Sequence, residues 1–164
     1  MEYQAAWRLL LVAALFLIAA GARGGQPPAQ HTAEAPTSAV FDALDDAGVI
    51  SGRLHVPMAL VFNGRGELTL KTHGRPTGDI SGLVAKALSD GEPHQPTFTL
   101  DYLRSMFFVD TSSSVERGAL VYVSMEEGLC PPCVGLLAEY DSALEAVRRD
   151  ADVTVFVLMV HPDR

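Results

Sequence analysis

Residues 126–137, Glu-Glu-Gly-Leu-Cys-Pro-Pro-Cys-Val-Gly-Leu-Leu, hold both cysteines of a 164-residue chain. Cys130 and Cys133 stand with only Pro131 and Pro132 between them. At the opening of a helix, unpaired first-turn amides and the positive end of the helix dipole stabilise a thiolate. A second thiol one turn further on can resolve a mixed disulfide formed on the first. Prolines fit between them because first-turn N–H groups have no intrahelical partner. Pro131 and Pro132 also withdraw two amide donors from the thiolate, which makes them tuners of redox potential. Glu126 and Glu127 bring negative charge close to the motif and oppose the helix-end effect on Cys130.

Other chemistries need other residues. A zinc site requires two further ligands at comparable spacing. The five histidines, His31, His55, His73, His94 and His161, are scattered, and none is paired at metal-ligand spacing. No metal or other cofactor is therefore expected beyond a redox-active Cys130–Cys133 disulfide. A copper site built from the two thiols and a distant histidine stays open as an alternative. So does a purely structural cross-link, although a 130–133 loop constrains little chain entropy.

The segments around the motif have a simple pattern. Residues 119–125, Ala-Leu-Val-Tyr-Val-Ser-Met, form a β-rich run of the kind buried in the middle of a parallel sheet. Residues 153–160 form a second such run. Between them, Leu137, Tyr140, Leu144 and Val147 make one helical stripe, with Arg148 and Arg149 in the last turn where the dipole favours cations. This is one βαβ unit with the cysteines at its strand-to-helix turn, a context in which Cys-x-x-Cys reads as a redox pair.

Upstream, Val40, Leu44 and Val49 mark a short amphipathic helix that starts at a Thr37 or Ser38 cap and ends near Gly48. Residues 57–74 read as a hairpin turning at Asn63-Gly64-Arg65-Gly66. Asp79 caps a helix carrying Ile80, Leu83, Val84 and Leu88, with Gly91 after its end. Residues 91–97 read as a linker, and 98–110 as extended structure whose Leu100, Leu103 and Phe107 also fit a helix.

The N-terminus has Arg8 before an apolar run at 9–20, then Ala20-Gly21-Ala22, a small-x-small cleavage pattern. The run is of signal-peptide length and short of the ~20 residues a spanning helix needs. Residues 1–22 are thus expected to be a secretory signal, and 23–37 a flexible leader rich in Gly, Pro, Gln and Ala. Export places the chain in an oxidising compartment, expected to be the bacterial periplasm, with membrane attachment only through an uncleaved signal segment. A formal charge of −8 argues against nucleic-acid binding, which requires a basic face. Hydrophobic content of 48% is enough for a buried core.

Phe98-Thr99-Leu100, residues 112–144 and residues 153–160 together resemble the first half of exported thioredoxin-like reductases of the TlpA/ResA type. The distance from Gly118 to Cys130, the buried strand and Cys-Pro-Pro-Cys carry the resemblance. Two positions depart from it: Leu129 replaces the usual aromatic residue before the first cysteine, and Ser124 stands near where an acidic or amide residue is often found. The resemblance implies a later half with a cis-proline facing the cysteines, a hairpin and a closing helix. Residues 38–90 are similar to that half but precede the cysteine half, with Val56-Pro57 in the place of the cis-proline segment. The implied fold is α/β, a thioredoxin-like mixed sheet with helices on both faces in circularly permuted order. Its domain spans 38–164: residues 38–90, the 91–97 linker, and the cysteine half at 98–164. The implied function is thiol–disulfide exchange on exported, cysteine-containing proteins, with a thiol electron donor as second partner. Cys130 attacks, Cys133 resolves, and Val56 and Pro57 shape the substrate surface. A non-enzymatic binding or metal-handling module on the same scaffold, a swapped dimer and an incomplete fragment are the competing expectations.

Overall fold

A computed structural model describes residues 30–75, 77–109, 111, 115–150 and 153–163. In chain order the elements are strand β1 (Gln30–Pro36), helix α1 (Thr37–Asp46), strands β2 (Met58–Phe62) and β3 (Leu68–His73), helices α2 (Ile80–Asp90) and α3 (Leu100–Phe107), strand β4 (Ala119–Met125), helix α4 (Val134–Asp150) and strand β5 (Thr154–His161). They build a five-stranded mixed sheet in the order β1-β5-β4-β2-β3. β1, β5 and β4 run parallel, while β2 is antiparallel to both β4 and β3.

The continuous apolar runs of β4 and β5 follow from burial on both faces. On one face, Val121, Val123, Phe156 and Leu158 meet Val40 and Leu44 of α1 and Leu100 and Leu103 of α3. On the other, Leu120, Tyr122, Val155 and Val157 meet Val84 and Ala87 of α2 and Tyr140 and Val147 of α4. Successive side chains of a strand point to opposite faces, so each inner strand feeds both cores.

Three expectations change. Residues 30–36, assigned by composition to a flexible leader, form the edge strand β1, paired parallel with β5 from Gln30↔Val155 to Pro36↔His161. Its small and polar side chains hide the strand pattern, and only Ala35 is fully buried. Residues 100–107 are helical rather than extended: Leu100 and Leu103 bury one side of α3, and the Thr99 hydroxyl accepts the Tyr102 N–H at 3.2 Å as an N-cap. Neither Thr37 nor Ser38 caps α1 through its side chain. The Thr37 hydroxyl donates to the His161 carbonyl at 2.8 Å, and the Ser38 hydroxyl donates to the Asp163 carboxylate at 2.6 Å. The end of β5 is thereby tied to the start of α1.

Other local signals act as the sequence suggests. α1 ends on Gly48 at φ 68°, whose N–H donates to Asp45 O while Val49 N–H donates to Leu44 O, each at 2.8 Å. That pair of bonds needs the left-handed residue glycine supplies. Asp79 caps α2 through the Gly82 N–H at 2.9 Å. Residues 91–97 have no regular structure but are held down: His94 N–H donates to Leu68 O at 2.8 Å, and the Gln95 side chain donates to Gly48 O at 3.0 Å.

Phe156 is fully buried, stacked near His31 and edge-on to Phe108. Phe156→Ala is expected to destabilise the fold by about 3–5 kcal/mol. Leu83→Ala, at a side chain 48% exposed, is expected to cost less than about 1 kcal/mol. Urea midpoints of the two variants check the contrast. Hydrogen bonds from the Ser38 hydroxyl and N–H hold the Asp163 carboxyl below its ordinary value of 3.8. A depressed carboxyl stabilises the fold above that ordinary value, and its contribution is lost as pH falls through the folded value. Asp163→Asn should therefore flatten part of the acid limb of a stability–pH curve and leave the neutral region's slope unchanged.

Candidate functional site

β4 ends at Met125, and the chain turns through residues 127–129 before Cys130, whose backbone stands at φ −142° and ψ 80°. Pro131–Cys133 then form a single tight turn that runs into α4. The motif thus precedes the α-helix rather than filling its first α turn. Pro131 and Pro132 have no N–H, so the first donor after Cys130 is Cys133, which donates to the Cys130 carbonyl at 2.7 Å. The two sulfurs are joined in a disulfide with the Cα atoms 5.2 Å apart.

Both cysteines are half-buried, while Pro131, Pro132 and Glu126 are exposed. Leu129 and Val134 flank the disulfide with 43% and 41% of their surfaces in solvent. Exposed apolar side chains on either side of a disulfide give a partner polypeptide something to bury. The side chain of Glu127 lies outside the described residues.

The Val56–Pro57 peptide is cis, with Pro57 buried and Val56 half-buried. β2 pairs with β4 through Met58↔Val123. Val56 and Pro57 directly precede Met58 in the chain, on the side where β4 runs on to Met125. Val56-Pro57 therefore stands at the end of the sheet from which the cysteine turn emerges. His55, exposed, brings its ring to 5.1 Å from that of His73, which pairs with Met58 at the same end. The two histidines are far apart in sequence, and the hairpin register that unites them was the only signal available for this pair.

Behind the motif, Tyr122 and Ser124 are buried, 3% and 5% exposed. Tyr122 stacks on Tyr140 of α4 with ring centroids 5.6 Å apart. Burial pushes the Tyr122 hydroxyl up to about 12; the Asp141 carboxylate adds to the rise and Ser124 opposes it. A cleft of about 340 Å³ opens beside these residues, between α4 and the strands β4 and β5. Among the described residues, no group of three or more His, Cys, Asp or Glu is placed to hold a metal ion. Among them, too, no helix is long and apolar enough to cross a membrane. The expected signal segment at 1–22 lies outside the described residues.

No protein-family model, curated protein or solved structure matches the chain.

The site as built offers one cleavable covalent bond, reachable from solvent, at the mouth of a strand-to-helix turn. Glu126, exposed and four residues before Cys130, is its described nearby carboxylate in sequence. In the reduced protein, Glu126→Gln is expected to speed alkylation of Cys130 at neutral pH, by less than about fivefold because exposed charges interact weakly through water. Alkylation rates on wild type and variant check this; an equal or slower rate in the variant means the carboxylate does not act on the thiol.

Proposed function

We propose that this chain is a thiol–disulfide exchange protein with a thioredoxin-like fold in circularly permuted order, acting on exported, cysteine-containing clients. The observation that carries the reading is the Cys130–Cys133 disulfide in the turn from the central strand β4 into α4. Three further features support it. Helices cover both faces of the mixed sheet. Val56-Pro57 arrives at the same sheet end as the cysteines. The end of β5 hydrogen-bonds to the start of α1, where an unpermuted chain of this architecture would run straight on.

The exchange cycle follows from the two thiols. In the reduced form, the Cys130 thiolate attacks one sulfur of a client disulfide. A Cys130–client bond forms, and the client's other sulfur leaves as a thiolate. Cys133, deprotonated to the solvent, then attacks Cys130 Sγ; the intramolecular disulfide forms and the second client thiolate departs. Two electrons have passed to the client. A thiol electron donor restores the dithiol by the same steps in reverse, and a dithiol client run backwards is oxidised. Leu129, Val134 and the Val56-Pro57 segment supply the surface on which the client backbone rests. Pro131 and Pro132 set the redox potential by keeping amide donors off the Cys130 sulfur. Membrane attachment, if the signal segment stays uncleaved, would hold this site at a membrane surface.

Insulin reduction with a small-thiol electron donor tests the reading. The wild type is expected to accelerate it. Cys130→Ser abolishes the acceleration, by about a hundredfold or more, because the attacking sulfur is gone. Cys133→Ser accumulates a mixed disulfide that survives non-reducing electrophoresis. Limited alkylation of the reduced protein labels Cys130 before Cys133. An inactive wild type that binds a metal through its reduced thiols would replace exchange with metal handling, and preferential labelling of Cys133 would reverse the two roles.

A further inference from the structure

His55, in the loop that leads into β2, and His73, the last residue of β3, have no part in the exchange cycle. Their ring centroids stand 5.1 Å apart, with the planes tilted by 35°. Both side chains are exposed. Among the described residues, neither imidazole closes a hydrogen bond or an ion pair, so the ring nitrogens are open to a ligand. Lys71 shares a face of β3 with His73, because alternate residues of a strand point the same way. Its ammonium is turned to the Val49 carbonyl, and the nearby Arg75 is paired with Glu139 at 3.0 Å. Both of these cations are therefore engaged elsewhere.

Neutral imidazole offers one lone pair per ring and is the commonest side-chain ligand of zinc, copper and nickel ions. With a zinc–nitrogen bond of about 2.0–2.1 Å and a ring centre about 1.1 Å behind the nitrogen, two imidazoles on one tetrahedral ion have centroids roughly 5.2 Å apart. The 5.1 Å between His55 and His73 matches that spacing. Neighbouring positions of a square-planar ion would need the rings closer, roughly 4.5 Å apart, so the pair suits zinc better than copper(II). No core packing opposes the small rotation that turns a nitrogen of each exposed ring to a shared ion. We propose that His55 and His73 bind one Zn2+ ion between their rings, with water in its remaining positions. Two protein ligands make an open, exchangeable site rather than a closed structural one of four. Among the described residues no third His, Cys, Asp or Glu joins them. The bound ion links the loop before β2 to β3, at the end of the sheet that carries the cysteine turn. The site uses no thiol, so it stands independently of the exchange reading.

The untagged, oxidised full chain is titrated with zinc chloride and, separately, with magnesium chloride. In this form the disulfide keeps both sulfurs away from the metal. Calorimetry follows the affinity, and imidazole chemical shifts follow the place of binding. Saturable zinc binding at one ion per chain is expected, with ring shifts at His55 and His73. Magnesium, which prefers oxygen ligands, should leave those rings unmoved. His55→Ala and His73→Ala should each weaken zinc binding by about tenfold or more, the scale on which even outer-shell partners of a metal act. His94→Ala, at another exposed histidine, should leave the affinity unchanged. Zinc shifts spread evenly over the exposed histidines, or an equal ring response to magnesium, overturn the site. Unchanged zinc affinity in both His55 and His73 variants overturns it as well. Substitutions at exposed positions seldom disturb folding; should either variant misfold, the wild-type stoichiometry and ring shifts decide alone. Zinc binding as expected in a chain that fails to reduce insulin removes the proposed function and leaves the metal site standing.

Discussion

β4 lies between β5 on one edge and β2 on the other, and all but the last of its residues are buried. This double pairing is the constraint on which the other arrangements depend. The β5 side is parallel and requires a crossover, which α4 provides; the cysteine turn is the start of that crossover. The β2 side is antiparallel and draws the residues before Met58 towards the end of β4. A strand buried on both faces also cannot slip by one residue, because a slip would exchange its two sets of side chains between cores. The same register therefore fixes the Val56-Pro57 segment, the cysteine turn and Tyr122 relative to one another.

The inner parts of the fold were legible in the sequence because strong local signals agreed with burial. β4 and β5 showed as unbroken apolar runs, and the turn at Asn63-Gly64-Arg65-Gly66 separates β2 from β3. Asp79 announced α2, and its side chain does take the Gly82 N–H. The cysteine motif was legible for the same reason: its spacing is local.

What escaped was whatever tertiary pairing decides. β1 has one face in solvent and carries alanine, threonine and histidine, so composition made it look like leader; pairing with β5 makes it a strand. The aromatic-rich residues 98–108 suit either state, and the burial of Leu100 and Leu103 against the sheet selects the helix. The residues around the cleft come from β1, β4, α4 and β5 and from Glu126 just after β4, and no spacing in the sequence connects Tyr122 with Asp141. His55 and His73 meet only because the hairpin folds one strand back on the other.

The pairing of β1 with β5 has a consequence for how the molecule is made. β1 is the earliest of the described strands to be synthesised and β5 the latest, yet they are neighbours, and β5 occupies the place between β1 and β4. Until β5 exists, β1 has no partner and β4 presents an open edge with apolar side chains on both faces. Long-range parallel pairing of this kind is slow, and the unfinished sheet is exposed to association with other chains in the meantime. A chaperone that covers the β4 edge during synthesis would therefore act on yield without touching the finished structure.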